Sequence, residues 1–185
     1  MNAPREKFSA TVTREALLSD GDDRRFREFL HAFMVFSRRV EAVRDAFAEF
    51  IGVTGPQYEL LSHLRQIGGN SATVSMLADR LHCSGAFVTT EIGKLVSFGL
   101  VTKHRDPGDQ RRVMLSLTAA AHGRLRQLAP LQSVVNDELF AALTRDDLVR
   151  LQRLMPRMAA DGDRAVARAE LMARLNPTAP QRATI

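Results

Sequence analysis

Two apolar series repeat every seven residues between positions 26 and 50, and the two series lie three residues apart. The first consists of Phe26, Phe33, Val40 and Phe47, and the second of Phe29, Phe36, Val43 and Phe50. Positions with this spacing fall along one side of an α-helix, so the pattern predicts a long helix that Asp20 or Asp22 caps. Six phenylalanines are too much apolar surface to leave in water. We expect the helix to pack partly within the chain and partly on a second copy.

Between residues 53 and 99, apolar spacing and turn-forming residues predict three shorter helices. The first begins after Thr54, a possible N-cap, and ends at Gly68 and Gly69. The second runs through the segment SMLADRL, whose apolar positions have helical spacing. Ser84 can cap the third, and Gly99 stands where a glycine commonly ends a helix.

Strict alternation follows these helices and predicts a β-strand. Val113, Leu115 and Leu117 share one face of it, and the residues between them share the other. The preceding DPGD is typical of a turn, and the upstream segment GLVTKH supplies a partner strand. The sequence therefore predicts a β-hairpin whose tip carries Arg111 and Arg112.

The remainder of the chain is predicted to be helical, with interruptions. Thr118 can cap a long helix that Pro130 interrupts. Thr144 can cap the next helix, which Pro156 interrupts, and a separate short helix is expected after Gly162.

These elements predict a mainly α fold: a winged helix-turn-helix, with helices and one small β-hairpin wing, and long N- and C-terminal dimerisation helices. The expected units are a flexible N-terminal arm over 1–19, an N-terminal dimerisation helix over 20–52, a winged helix-turn-helix DNA-binding domain over 53–118, C-terminal dimerisation helices over 119–175, and a flexible tail over 176–185.

Charge favours an anionic partner. The chain has a net charge of +5 and a pI of about 10.3, and residues 80–126 hold eight basic residues against three acids. This excess permits nucleic acid, anionic lipid or an acidic protein as partner. We expect no membrane association, since there is no long apolar run, and a cytoplasmic location, since a lone cysteine suits a reducing compartment and the first residues lack a signal peptide's apolar core.

The predicted arrangement gives each charged part a use. The third short helix is the second helix of the predicted helix-turn-helix. In such a motif this helix lies in the major groove of double-stranded DNA, with its first residues against base edges. Ser84, at the start of that helix, can also hold a phosphate. The arginine-tipped wing can reach the neighbouring minor groove, whose negative potential attracts arginine.

The segment VSMLADRLHCSGAFVTTEIGKLVSFGLVTKHRDPGDQRRVMLSLT, Val74 to Thr118, resembles the MarR family (multiple antibiotic resistance regulators), and DPGDQRR…LSLT resembles its wing signature. With the flanking helices, the resemblance covers about residues 20–160. It implies a dimeric transcriptional regulator, either a repressor or an activator and most simply a repressor, that a small molecule or cysteine oxidation releases from DNA. It also implies that Asp109 braces Arg111, and that Arg111 enters the minor groove.

The third short helix departs from the family pattern. Gly85 stands where a basic residue is common, Thr90 where an arginine is frequent, and Glu91 where an apolar residue is usual. We therefore expect base contacts to rely on the methyl and aromatic groups of Ala86, Phe87 and Thr89 more than on forked hydrogen bonds.

The predicted DNA-binding residues lie on this helix and on the wing. They are Ser84, Gly85, Ala86, Phe87, Thr89, Thr90, Lys94, Arg105, Asp109, Gln110, Arg111 and Arg112. The predicted dimerisation residues are Phe26, Phe29, Phe33, Leu139, Leu148 and Leu151. A solvated turn is the alternative for the wing arginines, and an internal core is the alternative for part of the phenylalanine stripe.

A small organic anion, for example an aromatic one, is the expected effector. Its candidate residues are His31, Ser37, Arg38, Tyr58 and His63, which supply cationic and hydrogen-bonding groups near phenylalanines. The alternative reading is that these side chains face water or a partner. Cys83 can be either a buried hydrophobe or, less simply, a redox sensor.

Motifs for other functions are missing from the sequence. Ser62 and His63 are adjacent on a helix and diverge by about 100°, and the glycines lack a phosphate-binding pattern. We therefore expect no enzyme, no cofactor and no catalytic residue. His82 and Cys83 have no spaced second pair, so no metal site is expected. The serious alternative is a winged-helix adaptor that binds protein rather than DNA.

Overall fold

The computed structural model of the chain describes residues 10–67 and 71–175. Within these residues, a 3-10 helix (Glu15–Leu17) precedes six α-helices and three strands. In chain order these are α1 (Arg24–Phe50), α2 (Gly55–Gln66), β1 (Ser71–Ala72), α3 (Val74–Leu81), α4 (Gly85–Ser97), β2 (Val101–Arg105), β3 (Val113–Leu117), α5 (Ala119–Leu139) and α6 (Arg145–Leu175). The predicted mainly α winged helix-turn-helix fold is confirmed.

The start of α1 differs from the prediction. Asp23, rather than Asp20 or Asp22, directly precedes its first turn, while Asp22 accepts a hydrogen bond from the backbone N–H of Arg24 at 2.6 Å. Asp23 is buried and accepts two hydrogen bonds from Thr11, one from its backbone N–H at 2.6 Å and one from its hydroxyl at 2.7 Å. These bonds hold Thr11 at the start of α1, although Thr11 belongs to the predicted flexible arm. Residues 1–9 of that arm and the predicted tail over 176–185 lie outside the described residues.

The predicted caps of the short helices are confirmed. The backbone N–H of Thr54 donates to Gln57 Oε1 at 3.1 Å, and Ser84 Oγ accepts from the backbone N–H of Phe87 at 3.2 Å. Gly99 follows α4 with a φ of +68°, a conformation in which a side chain would be strained. The predicted end of α2 at Gly68 and Gly69 lies outside the described residues, and α2 itself ends at Gln66.

The hairpin pairs as predicted and carries a third strand. β2 and β3 are antiparallel, with Val101 opposite Leu117 and Arg105 opposite Val113. β1 adds to the other edge of β3, giving the order β1-β3-β2. Leu115 and Leu117 are buried in β3. The alternation therefore turns the inner part of the hairpin toward the core.

One hydrophobic core joins the end of α1 and the start of α5 to the helix-turn-helix and the sheet. Its largest fully buried side chains are Leu60, Leu61, Leu64, Leu77, Val88, Ile92, Leu95, Leu100, Val101, Leu115, Leu125 and Leu128. Each contributes roughly 1.5–3 kcal/mol by removal from water. Because α4 and both wing strands share this core, they are held in a fixed relation to each other.

The last two helices run through all the positions at which interruptions were predicted. α5 continues through Pro130, and α6 continues through Pro156 and Gly162, so the separate short helix predicted after Gly162 is wrong. Both prolines are exposed, and the carbonyl that each leaves without a partner can bond to water, so the loss stays local. No residue of α6 is buried within the single chain. None of the helices in the described ranges is both long and apolar enough to span a lipid bilayer.

Candidate nucleic-acid interface

A tight turn joins α3 to α4 and sets the direction of α4. His82 adopts the left-handed conformation with a φ of +49°, and the backbone N–H of Cys83 donates to the carbonyl of Ala78 at 3.1 Å. Ser84 then caps α4. The buried side chains of Val88, Ile92 and Leu95 fix one side of this helix, so its other side faces outward.

Six of the predicted DNA-binding residues lie at the N-cap and in the first two turns of α4, and all of them face outward. Ser84, Gly85, Ala86, Phe87, Thr89 and Thr90 are all exposed. The hydroxyl of Thr89 donates to the carbonyl of Gly85 at 2.8 Å, and the hydroxyl of Thr90 donates to the carbonyl of Ala86 at 3.1 Å. Both hydroxyl hydrogens are therefore used inside the helix.

Glu91 is the buried polar residue of α4. Gln57 Nε2 donates to one carboxylate oxygen at 2.9 Å, and Lys94 Nζ donates to the other at 2.7 Å. These bonds, that from Lys94 first, lower the pKa of Glu91 below its ordinary value of 4.5. The sequence resemblance places an apolar residue here, and the structure instead has a carboxylate with two partners. The structure also places the ammonium group of Lys94, a predicted DNA contact, beside this carboxylate.

The stability of the protein is expected to depend on the charge of Glu91. Because the folded state lowers its pKa, the ionised carboxylate stabilises the fold above pH 4.5, and this stabilisation is lost as pH falls through and below that value. Thermal unfolding of the wild type and Glu91→Gln between about pH 3 and pH 7 tests this: the wild type is more stable near neutrality and the difference narrows in acid. Glu41→Gln, which removes an exposed carboxylate of α1, is the control. A difference that stays constant with pH contradicts the prediction.

Short hydrogen-bonded turns order the tip of the wing. Asp109 Oδ1 accepts from the backbone N–H of Arg111 at 3.0 Å, and Arg105 Nη1 donates to the carbonyl of Gln110 at 3.1 Å. The predicted brace between Asp109 and Arg111 thus acts on the backbone of Arg111. Arg111 and Arg112 are exposed, and in the described part of the chain no carboxylate lies within 4.0 Å of either guanidinium.

The predicted dimerisation residues lie outside the core. Phe29 is 54% exposed and Leu148 is 49% exposed, while Phe26, Phe33, Leu139 and Leu151 are half-buried. The rings of Phe29 and Phe33 lie 6.1 Å apart. Of the heptad stripe, only Phe47 is buried, so the internal-core alternative holds for the last part of α1 alone.

The predicted effector residues have separate surroundings. His31 and Arg38 are exposed on α1, and the Ser37 hydroxyl donates to the carbonyl of Phe33. Tyr58 is buried and its hydroxyl accepts from Gln132 Nε2 of α5 at 2.8 Å. His63 Nδ1 accepts from Arg80 Nε of α3 at 3.0 Å, and burial, followed by the charge of Arg80, lowers the pKa of His63.

The surroundings of Cys83 favour its reading as a buried hydrophobe. The side chain is half-buried and packs against the core, and burial raises the pKa of its thiol. A redox sensor needs a lowered thiol pKa. In the ranges 10–67 and 71–175, no three His, Cys, Asp or Glu side chains are grouped so as to hold a metal ion.

Sequence reasoning missed the residues that join the α1–α2 corner to its neighbours. Gln57 links the start of α2 to Glu91, and Arg124 Nη1 of α5 donates to the carbonyl of Ile51 at 2.8 Å. The spacing of Thr54 and Gln57 is that of a capping box and could have identified Gln57. Arg124 and Ile51 lie 73 positions apart in the sequence, and no local pattern identifies such a pair.

The helix-turn-helix and the arginine-tipped hairpin, resting on one core, define a winged helix-turn-helix protein. Residues 51–112 match the model of the MarR family. No curated protein sequence matches the chain.

Solved structures show the same fold. AbsC, a MarR family transcriptional regulator from Streptomyces coelicolor, aligns with a TM-score of 0.64 and 22% identity over 78% of this chain and 95% of that chain. The S. aureus MepR–DNA complex aligns with a TM-score of 0.60 and 18% identity over 72% and 97%. A mutant of MarR from E. coli, complexed with operator DNA, aligns with a TM-score of 0.59 and 21% identity over 69% and 91%. Together with the family match, they confirm the resemblance to the MarR family.

Proposed function

We propose that this protein is a sequence-specific transcriptional regulator, most simply a repressor, that binds double-stranded DNA as a homodimer. The observation that carries the proposal is that the exposed side of α4 and the wing with Arg111 and Arg112 are anchored on one core. A helix for the major groove and an arginine for the minor groove are thereby presented together. Two of the similar structures, those of MepR and of the MarR mutant, are complexes with DNA.

The homodimer is supported by apolar surface that the single chain leaves uncovered. α6 extends over 31 residues without burying one of them, and the first part of the α1 stripe is exposed or only half-buried. Two copies related by a two-fold axis would cover these helices with each other and present two α4 helices. The operator is then pseudo-palindromic, with half-sites about one helical turn, ~34 Å, apart.

Salt dependence tests the proposal against the protein-binding adaptor. DNA binding through arginines displaces counterions from the phosphates, so affinity for random duplex should fall steeply between about 50 and 200 mM salt; six to ten phosphate contacts would lose roughly 10³–10⁵-fold. Electrophoretic mobility shifts at several salt concentrations measure this fall. Failure to bind any duplex at the lowest salt contradicts the proposed function and favours the adaptor.

Release by a small organic anion belongs to the same proposal. A bound anion regulates only when it binds the DNA-free arrangement of the dimer better than the DNA-bound one. His31 and Arg38 are the two exposed groups among the five candidates and can face a ligand without losing a partner inside the core. A panel of aromatic carboxylates, scored by thermal shift and by release of duplex DNA, tests the idea. Release by peroxide alone, abolished by Cys83→Ser, favours the redox alternative.

A further inference from the structure

We propose that α4 recognises thymine through its C5-methyl group and that Phe87 is the specificity-determining residue. This inference rests on the proposed DNA binding and names the base that the helix selects. Phe87 lies in the first turn of α4, and 41% of it is exposed. The first turn of such a helix is the part that meets base edges in the major groove.

The hydroxyl hydrogens of the two threonines that follow Phe87 are already engaged. Thr89 and Thr90 donate their hydroxyl hydrogens to the carbonyls one turn earlier in α4. Neither can donate to a base as well, because a hydroxyl has a single hydrogen. Together with the Cβ of Ala86, these side chains present methyl groups and a phenyl ring to a base and no donor. The hydroxyl of Ser84 keeps its hydrogen, and it lies at the cap, where a phosphate is the expected partner.

The charged groups of α4 are engaged as well. Glu91 and Lys94 are the charged residues between Gly85 and Ser97, and they bond to each other. This range contains no Arg, Asn or Gln. Forked recognition of guanine uses Arg or Lys, and forked recognition of adenine uses Asn or Gln.

Thymine is the base whose major-groove edge matches this surface. Beside its O4 acceptor it carries the apolar C5-methyl group, whereas guanine, adenine and cytosine present only polar groups at this edge, and a phenyl ring leaves these without a partner. Burying a polar group without a hydrogen bond is unfavourable, so an apolar reading surface both attracts thymine and rejects the other bases.

Deoxyuridine substitution tests the inference, because it removes the methyl group and leaves every pairing and hydrogen-bonding group unchanged. Duplexes are first selected from a random library with the full-length protein, and each thymine of the selected sequence is then replaced by deoxyuridine. We expect one or two positions in each half-site where the replacement weakens binding about fourfold, as for the loss of one buried methyl group. At those positions cytosine should weaken binding further, and 5-methylcytosine should recover part of the loss.

Substitution of Phe87 assigns the effect to a residue. Phe87→Ala should remove the difference between thymine and deoxyuridine at the position that the ring contacts. Phe98→Ala is the matched control, since Phe98 is 54% exposed just beyond α4, and it should leave that difference intact.

The outcomes separate the inference from the proposed function. Binding to selected DNA that is unaffected by every deoxyuridine overturns methyl recognition and leaves DNA binding standing, as does a selected sequence without thymine in its half-sites. A thymine preference that persists in Phe87→Ala overturns the assignment to Phe87. Failure to bind any duplex overturns the proposed function and this inference with it.

Discussion

Phe29→Asp is expected to dissociate the homodimer, raising its dissociation constant by at least about 100-fold, which corresponds to about 2.7 kcal/mol. Phe29 is 54% exposed in the single chain, so a carboxylate there remains in water as long as the protein is a monomer. In a dimer that covers the α1 stripe, the same carboxylate loses its hydrating water and has no cation or hydrogen-bond donor provided for it. An uncompensated buried charge costs several kcal/mol, and a two-fold interface contains the substitution twice.

Sedimentation measures this dissociation, with the wild type expected as a dimer of 20.6 kDa chains at micromolar concentration. Ala42→Asp is the matched control: it adds the same charge at an exposed position of α1, roughly 140° around the helix from Phe29. It should leave the dimer intact. A wild type that sediments as a stable monomer contradicts the dimer, and a Phe29→Asp variant that remains dimeric contradicts the role of the stripe.

The elements that sequence could predict are those specified by local chemistry. The heptad spacing from Phe26 to Phe50 specifies α1, and the alternation around Leu115 specifies β3. Ser84 and Thr118 cap their helices as predicted, each accepting from a backbone N–H three residues on. In each case the residues that determine the element are close neighbours in the chain, so a periodicity or a single cap reports them.

The predictions fail where contacts between residues far apart in the sequence, or the summed helix preferences of a whole segment, determine the structure. β1 has two residues, too few for any alternation, and exists because β3 offers a free edge. α6 continues through Gly162 because a glycine costs only about 1 kcal/mol, which the alanine- and arginine-rich segment around it offsets. The burial of Asp23 depends on Thr11, twelve residues earlier, and no pattern in α1 indicates that partner.

The candidate site divides in the same way. The resemblance to a wing signature identifies Arg111 and Asp109 from the sequence. The engagement of Glu91 by Gln57, 34 residues away, requires the packing of α2 against α4 and is visible only in the structure. That bond changes the interpretation of α4, because it explains why a carboxylate occupies a buried position and why Lys94 is held beside it.

Arg111→Ala is expected to weaken binding to the selected DNA by roughly 1–3 kcal/mol, or about 5- to 150-fold. The turn at Asp109 holds the backbone of Arg111, while its guanidinium is exposed and unpaired with any carboxylate in the described ranges. Little is therefore lost in ordering the loop on DNA, and no internal ion pair has to be broken first. A guanidinium inserted into a narrow minor groove lies in strong negative potential, so its removal affects binding directly.

Two further variants test whether the position of the Arg111 charge matters, and whether a positive charge alone is enough. Arg168→Ala removes the same charge from the exposed surface of α6, outside the proposed reading surface of α4 and the wing, and should leave DNA affinity nearly unchanged. Arg111→Lys keeps the charge at the wing tip and loses the planar guanidinium, so it should recover only part of the affinity. Fluorescence anisotropy with labelled duplex gives all four dissociation constants, and thermal unfolding confirms that each variant is folded. If folded Arg111→Ala binds as tightly as the wild type, the wing does not contact DNA through Arg111.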